Sequence, residues 1–140
     1  AAQLEVLARE RDPVKLRRDV REMREKMRGQ LDRSDSEHFD LKQGRGGIAD
    51  IEFMVQYGVL RWAARHPELL DWTDNIRHLE ALSRYTLLPG SCADELADAY
   101  RALRTDYHRY GLRGEPGLAP QDSLQAERRQ VRELWQQLMT

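Results

Sequence analysis

Two carboxylates, Asp50 and Glu52, follow a glycine turn, Gly44-Arg45-Gly46-Gly47, with Lys42 ahead of it and Gln56 behind. Acids beside an amine and a glycine turn suggest phosphate or metal chemistry. The spacing argues against a simple paired-carboxylate metal site. Positions two apart on a helix diverge by about 200°. Asp50 and Glu52 can face one metal only if the helix begins between them. Glu52 and Gln56, four apart, share a face. Three glycines in four positions allow positive φ and close backbone approach. Gly47, just before the helix, is the position expected to need positive φ. The free N–H groups of that helix would point back at the turn and form an anion site. The helix dipole favours the two acids by itself.

Two readings of these residues stand side by side. In one, Asp50 caps the helix or binds the glycine-turn amides, while Glu52 and Gln56 pair with buried polar groups. In the other, the stretch edges a nucleotide site where Lys42 and the turn meet phosphate. Gly44 to Ala49 also satisfies G-x-G-x-x-A, a dinucleotide-binding fingerprint. Its context fails, because Pro67–Trp72 is too short for a second strand and leads into another helix. No Walker A string exists. His38, His66, His78 and His108 show no metal-ligand spacing and read as surface or cap residues. Trp62, Trp72 and Trp135 read as packing residues. Cys92, the one cysteine, reads as a small buried helix residue.

The elements that must position this stretch are helices. Residues 2–10 carry a short helical pattern. Asp12-Pro13 restarts the chain as N-cap and first helical residue. Leu16, Val20, Met23, Met27 and Leu31 then form one apolar stripe on a helix from about Pro13 to Leu31. Its other face carries Arg17, Arg18, Arg21, Arg24 and Arg28 with Asp19, Glu22 and Glu25. Arg18–Glu22, Arg21–Glu25 and Glu22–Lys26 stand at i,i+4. That face reads as solvated and salt-bridged; the sharper reading is a surface for a neighbouring domain or an anionic nucleotide.

Residues 32–47 form a polar loop, a short extended piece at Phe39–Lys42 and the glycine turn. The helix from about Ile48 to Arg65 is apolar nearly all round, which places it at the centre. Thr73 or Asp74 caps a helix that ends near Arg84 and buries Ile76, Leu79 and Leu82. Leu87-Leu88-Pro89-Gly90 is a turn. Ser91 can cap a helix from about Cys92 to Tyr110. Gly111–Pro120 is a connection. The last helix runs from Gln121 or Asp122 to Leu138. No convincing strand pair is visible. The fold class is all-α, a bundle of five to six helices with a short extended segment and a glycine turn before the central helix. Residues 1–140 form one domain.

The signature Lys-x-Gly-x-Gly-Gly-Ile-x-Asp-Ile-Glu-Phe-x-x-Gln, at Lys42 to Gln56, resembles the motif of glutamine synthetase adenylyltransferases. The resemblance extends to Leu16–Met27, to Trp72–Arg77 and to Ala126–Trp135, almost the whole chain. It implies the helical region at the C-terminal end of a larger nucleotidyltransferase. The Asp-Ile-Glu form is similar to the adenylylating half. It further implies transfer of AMP from ATP, with magnesium, to a tyrosine of glutamine synthetase, under control of glutamine and a PII signal protein. The family's metal carboxylates lie in an upstream Asp-x-Asp motif. None occurs here, so this chain alone is expected to be inactive and to bind neither Mg2+ nor ATP. The upstream nucleotidyltransferase domain is an implied partner. The other readings are a PII- or glutamine-sensing interaction module and the helical domain of a PII uridylyltransferase.

Composition agrees with a helical domain. Of 140 residues, 34% are charged and only 7% aromatic, which suits amphipathic helices with a solvated surface. The net charge of −1 gives no electrostatic case for nucleic acid or membrane binding. No apolar run approaches the roughly 20 residues of a membrane span, and no signal peptide is read. A lone cysteine fits a reducing compartment. A cytoplasmic location is expected.

Overall fold

A computed structural model describes residues 12–71, 74–85, 87–88 and 91–140. The expected helix at 2–10, the Thr73 cap, Trp72 and the Pro89-Gly90 turn lie outside the described residues. Among the described residues five α-helices alternate with two short strands: α1 (Pro13–Leu31), β1 (His38–Asp40), α2 (Ile48–Trp62), α3 (Asn75–Arg84), α4 (Cys92–Leu112), β2 (Leu118–Pro120) and α5 (Gln125–Met139). A 3-10 turn, Pro67–Asp71, joins α2 to α3. The class is all-α, as the periodicity predicts.

Local chemistry explains the helix starts. Asp12 accepts the Val14 N–H at 3.0 Å, and Pro13 occupies the first position, where its missing N–H is harmless. Asp74 accepts the Ile76 N–H at 2.8 Å and starts α3. α5 begins later than the sequence predicts. Leu124 is held in the left-handed region at φ 51°, and Ser123 turns back to the Pro120 carbonyl. The helix therefore opens at Gln125.

α2 is the hub. It packs against α1, α3, α4 and α5. Ile48, Ile51, Met54 and Val55 are buried and join Leu79, Leu82, Leu96, Leu103, Val131 and Met139 in one core. Cys92 lies buried there as expected, and burial pushes its thiol pKa up.

Two expectations need correction. The first is the strand pair that the sequence did not reveal. β1 pairs antiparallel with β2 in the register His38↔Pro120, Phe39↔Ala119 and Asp40↔Leu118. Three-residue strands carry too little alternation to detect, and their partners lie far apart in sequence. The Asp40 carboxylate then accepts the Lys42 and Gln43 N–H groups at 3.0 and 2.9 Å and turns the chain. The extended piece thus ends at Asp40, before Lys42.

The second is the facing of α1. Met23 and Leu31 are 60% and 50% exposed, whereas Val20, Arg24 and Arg28 are buried. The solvated-face reading fails for Arg24 and Arg28. The helix is turned so that these two reach a buried carboxylate on α2. Glu25 pairs with Arg28 and Arg45 instead of Arg21, and Arg21 donates to the Met139 carbonyl at 2.6 Å.

Candidate functional site

The signature forms a joint between α1, α2 and α5. Asp50, in the first turn of α2, is 2% exposed. Its Oδ1 accepts Arg24 Nε and Arg28 Nη2, both at 2.6 Å. Its Oδ2 accepts the Gly46 N–H at 2.8 Å. The remaining Arg24 donors go to the Gln43 carbonyl at 2.7 Å and its Oε1 at 3.1 Å. Two cations therefore share one buried anion, and Glu25 supplies the second negative charge. All three buried charges, Arg24, Arg28 and Asp50, are ion-paired, as a low-dielectric site requires, although the Arg28 Nε has no hydrogen-bond partner.

The three glycines serve this packing. Gly46 has φ +81°, and a Cβ on it would lie 2.4 Å from the Arg128 carbonyl oxygen of α5. Gly47, the residue expected at positive φ, has φ −91°. It is glycine because a Cβ would meet the Leu41 and Gly44 carbonyl oxygens at 2.6 and 2.9 Å. Gly44 abuts the Phe39 ring. The close approach is to the protein's own backbone.

The amides expected to form an anion site are already used. Gly46 N–H goes to Asp50, and Gly47 N–H to the Gly44 carbonyl. Ile48 and Ala49 donate to the Leu41 and Lys42 carbonyls. Asp50 and Glu52 point to different neighbours, as the 200° separation predicts. Glu52 accepts from Asn75 Nδ2 of α3 at 3.4 Å. Gln56 is exposed, and Lys42 is half-buried. The structure therefore brings Gly44, Gly46, Gly47 and Asp50 together. It leaves Lys42, Glu52 and Gln56 outside that cluster.

These residues do not fit a magnesium ion. Both Asp50 oxygens face cationic or N–H donors, and Glu52 lies elsewhere. Among the described residues no group of three or more His, Cys, Asp or Glu is placed to hold a metal. Two histidines serve the fold: His66 stacks on Tyr85, and His78 Nε2 lies 3.0 Å from the Leu69 carbonyl; His38 and His108 are exposed. Trp135 is buried, and Trp62 packs under Arg61 and Arg65. No helix is long and apolar enough to cross a membrane among the described residues.

Sequence reasoning missed Arg24, Arg28 and Arg128. The first two stand four apart and share a face, which was the available signal. Arg128 is 8% exposed, stacks 3.8 Å over the Phe39 ring and packs its backbone carbonyl against Gly46. Only the closure of β1 on β2 brings it there.

The signature, the joint and the bundle around them span the region matched by the pattern of a family described as GlnD PII-uridylyltransferase, over residues 19–138. The chain belongs to that family. Among curated proteins it is 52% identical over 139 residues to a "Bifunctional glutamine synthetase adenylyltransferase/adenylyl-removing enzyme" of Nitrosococcus oceani, covering 99% of this chain and 14% of that one. Proteins of the same description are similar from Hahella chejuensis, at 48% identity over 96% of this chain and 14% of that one, and Pseudomonas aeruginosa, at 45% over 99% and 15%. The chain thus spans about one-seventh of the length of these relatives. In this chain the cluster that links α1, α2 and α5 is a charge-paired joint within a helical bundle.

Proposed function

We propose that this chain is the helical domain at the C-terminal end of an enzyme that adenylylates and deadenylylates glutamine synthetase. The observation that carries the reading is 52% identity to such an enzyme over an aligned region that covers 99% of the chain. Within this reading the upstream nucleotidyltransferase domain supplies the metal carboxylates, ATP and Mg2+, and AMP goes to a tyrosine of glutamine synthetase. A PII signal protein and glutamine set the direction. The helical domain holds its helices in register for the catalytic domain. Asp50 and the three glycines lock that register. Lys42, Glu52 and Gln56 are the signature members available to a neighbouring domain at the edge of the nucleotide site.

The test is a domain replacement. This chain takes the place of the matching segment in the Nitrosococcus oceani relative, and AMP transfer to glutamine synthetase is measured with labelled ATP. Retained transfer supports the reading. A folded but inactive replacement, or transfer by the isolated chain, would overturn it. A second reading rests on the description of the matching family: the helical domain of a PII uridylyltransferase. Retained UTP-dependent labelling of PII when this chain replaces the matching segment of a PII uridylyltransferase, with AMP transfer lost in the first replacement, would favour it.

A further inference from the structure

A pocket of about 550 Å³ lies where α5 begins, against the loop that precedes β1. Arg128, Arg129 and Arg132 line it, with Gln125, Ser36 and one acid, Asp122. Three cations and one carboxylate leave a net charge of +2. The floor is Arg128, buried against the Phe39 ring. Its Nη1 donates to the Gln121 and Ser123 carbonyls at 2.5 and 3.0 Å, and its Nη2 to Gln121 Oε1 at 3.2 Å. All three acceptors are neutral. Its Nε has no partner. Burial lowers the Arg128 pKa, and the neighbouring charge of Arg132 lowers it further.

Among the described buried arginines, Arg24 and Arg28 pair with Asp50, whereas Arg128 meets only neutral acceptors. A buried arginine without a counterion is costly unless an anion completes it. Arg129 and Arg132 are exposed, and no ion pair is present for either among the described residues. Three residues apart on one helix, they lie side by side. Their planar forks match oxygen atoms of a tetrahedral anion. The first turn of α5 adds the favourable end of its dipole, and Leu124 provides no side-chain cap. Gln125 and Ser36 offer neutral donors at the rim.

We propose that this pocket binds an oxyanion of the phosphate class, with Arg129 and Arg132 as its hydrogen-bond donors above the buried charge of Arg128. A doubly charged phosphate balances the net +2 of the walls. The anion can be free phosphate or the phosphate chain of a nucleotide; the contact chemistry is the same. The inference stands on the pocket and does not depend on AMP transfer.

The 140-residue chain is titrated at low ionic strength with inorganic phosphate, pyrophosphate, tripolyphosphate and ATP, followed by amide NMR shifts. The comparison is the double variant Arg129→Gln/Arg132→Gln, whose side chains are exposed, so that its melting temperature should be unchanged. The expected result is saturable shifts confined to residues around 36 and 121–132, with affinity at least about ten-fold weaker in the double variant. ATP binding like tripolyphosphate identifies a polyphosphate site; tighter ATP binding identifies a nucleotide site. Either supports the proposal. No saturable shift with any of the four up to about 10 mM, or equal binding by the double variant, overturns it.

Discussion

Buried arginines sit on both sides of the glycine turn, Arg24 and Arg28 on one and Arg128 on the other, and they solve the same problem differently. At the α1–α2 contact, Arg24 and Arg28 converge on Asp50, with Glu25 pairing Arg28 and Gln43 accepting from Arg24. At the start of α5, Arg128 finds only carbonyl and amide oxygens. The first cluster is electrostatically closed and the second is open. A closed cluster fixes the register of helices. An open one holds charge in reserve for a ligand. The turn between them, with Gly46 against the Arg128 carbonyl and bonded to Asp50, couples the two.

The largest expected effect comes from removing the shared anion. Asp50→Ala leaves two buried guanidiniums without their common partner and should destabilise the chain by about 3–5 kcal/mol. Arg128→Met strands no carboxylate and should cost less than about 2 kcal/mol. Urea unfolding of both variants tests the contrast. Equal losses would mean that the α5 cluster is as closed as the α1–α2 one.

Next is the coupling turn. Gly46→Ala must hold positive φ and push its Cβ into the Arg128 carbonyl, at a cost of about 2 kcal/mol or more. Gly29→Ala is the control: it lies inside α1 with open space around it, and should stabilise by about 0.5–1 kcal/mol. Thermal melts of the pair sharpen the assignment; a neutral Gly46→Ala would uncouple the two clusters.

The smallest effect concerns pH. Partial burial raises the Glu25 pKa, but Arg28 and Arg45 outweigh it, and the net value falls below the ordinary 4.5. The folded chain thus holds the proton less tightly than the unfolded one. Its contribution is present above pH 4.5 and fades as the pH falls through the folded value. The side chain is 44% exposed, so solvent screening keeps the gain under about 1 kcal/mol. Glu25→Gln should flatten the acid limb of stability against pH. An unchanged acid limb would remove Glu25 from the closed cluster.

Much of the fold was legible before the structure. The Asp12 cap, a cap for α3 at Thr73 or Asp74, the span of α1 and the apolar run of α2 are local signals, and each marks its element through nearby residues. The glycines announced a tight turn for the same reason. The site was legible only in part. Asp50 was recognisable as a helix-start acid that could bind the turn, yet its arginine partners lie 22 and 26 residues back.

Sequence alone therefore determined where α1, α2 and α4 begin, how apolar their faces are and that the chain must turn sharply before α2. Tertiary structure decided which face of α1 is buried, because a carboxylate beneath it outweighs the exposure of Met23 and Leu31. It also decided what the glycines approach. Pairing of Phe39 with Ala119 carries the Arg128 carbonyl onto Gly46. Periodicity repeats over a few residues, whereas these contacts join positions about eighty residues apart, where only the packed chain sets the distance.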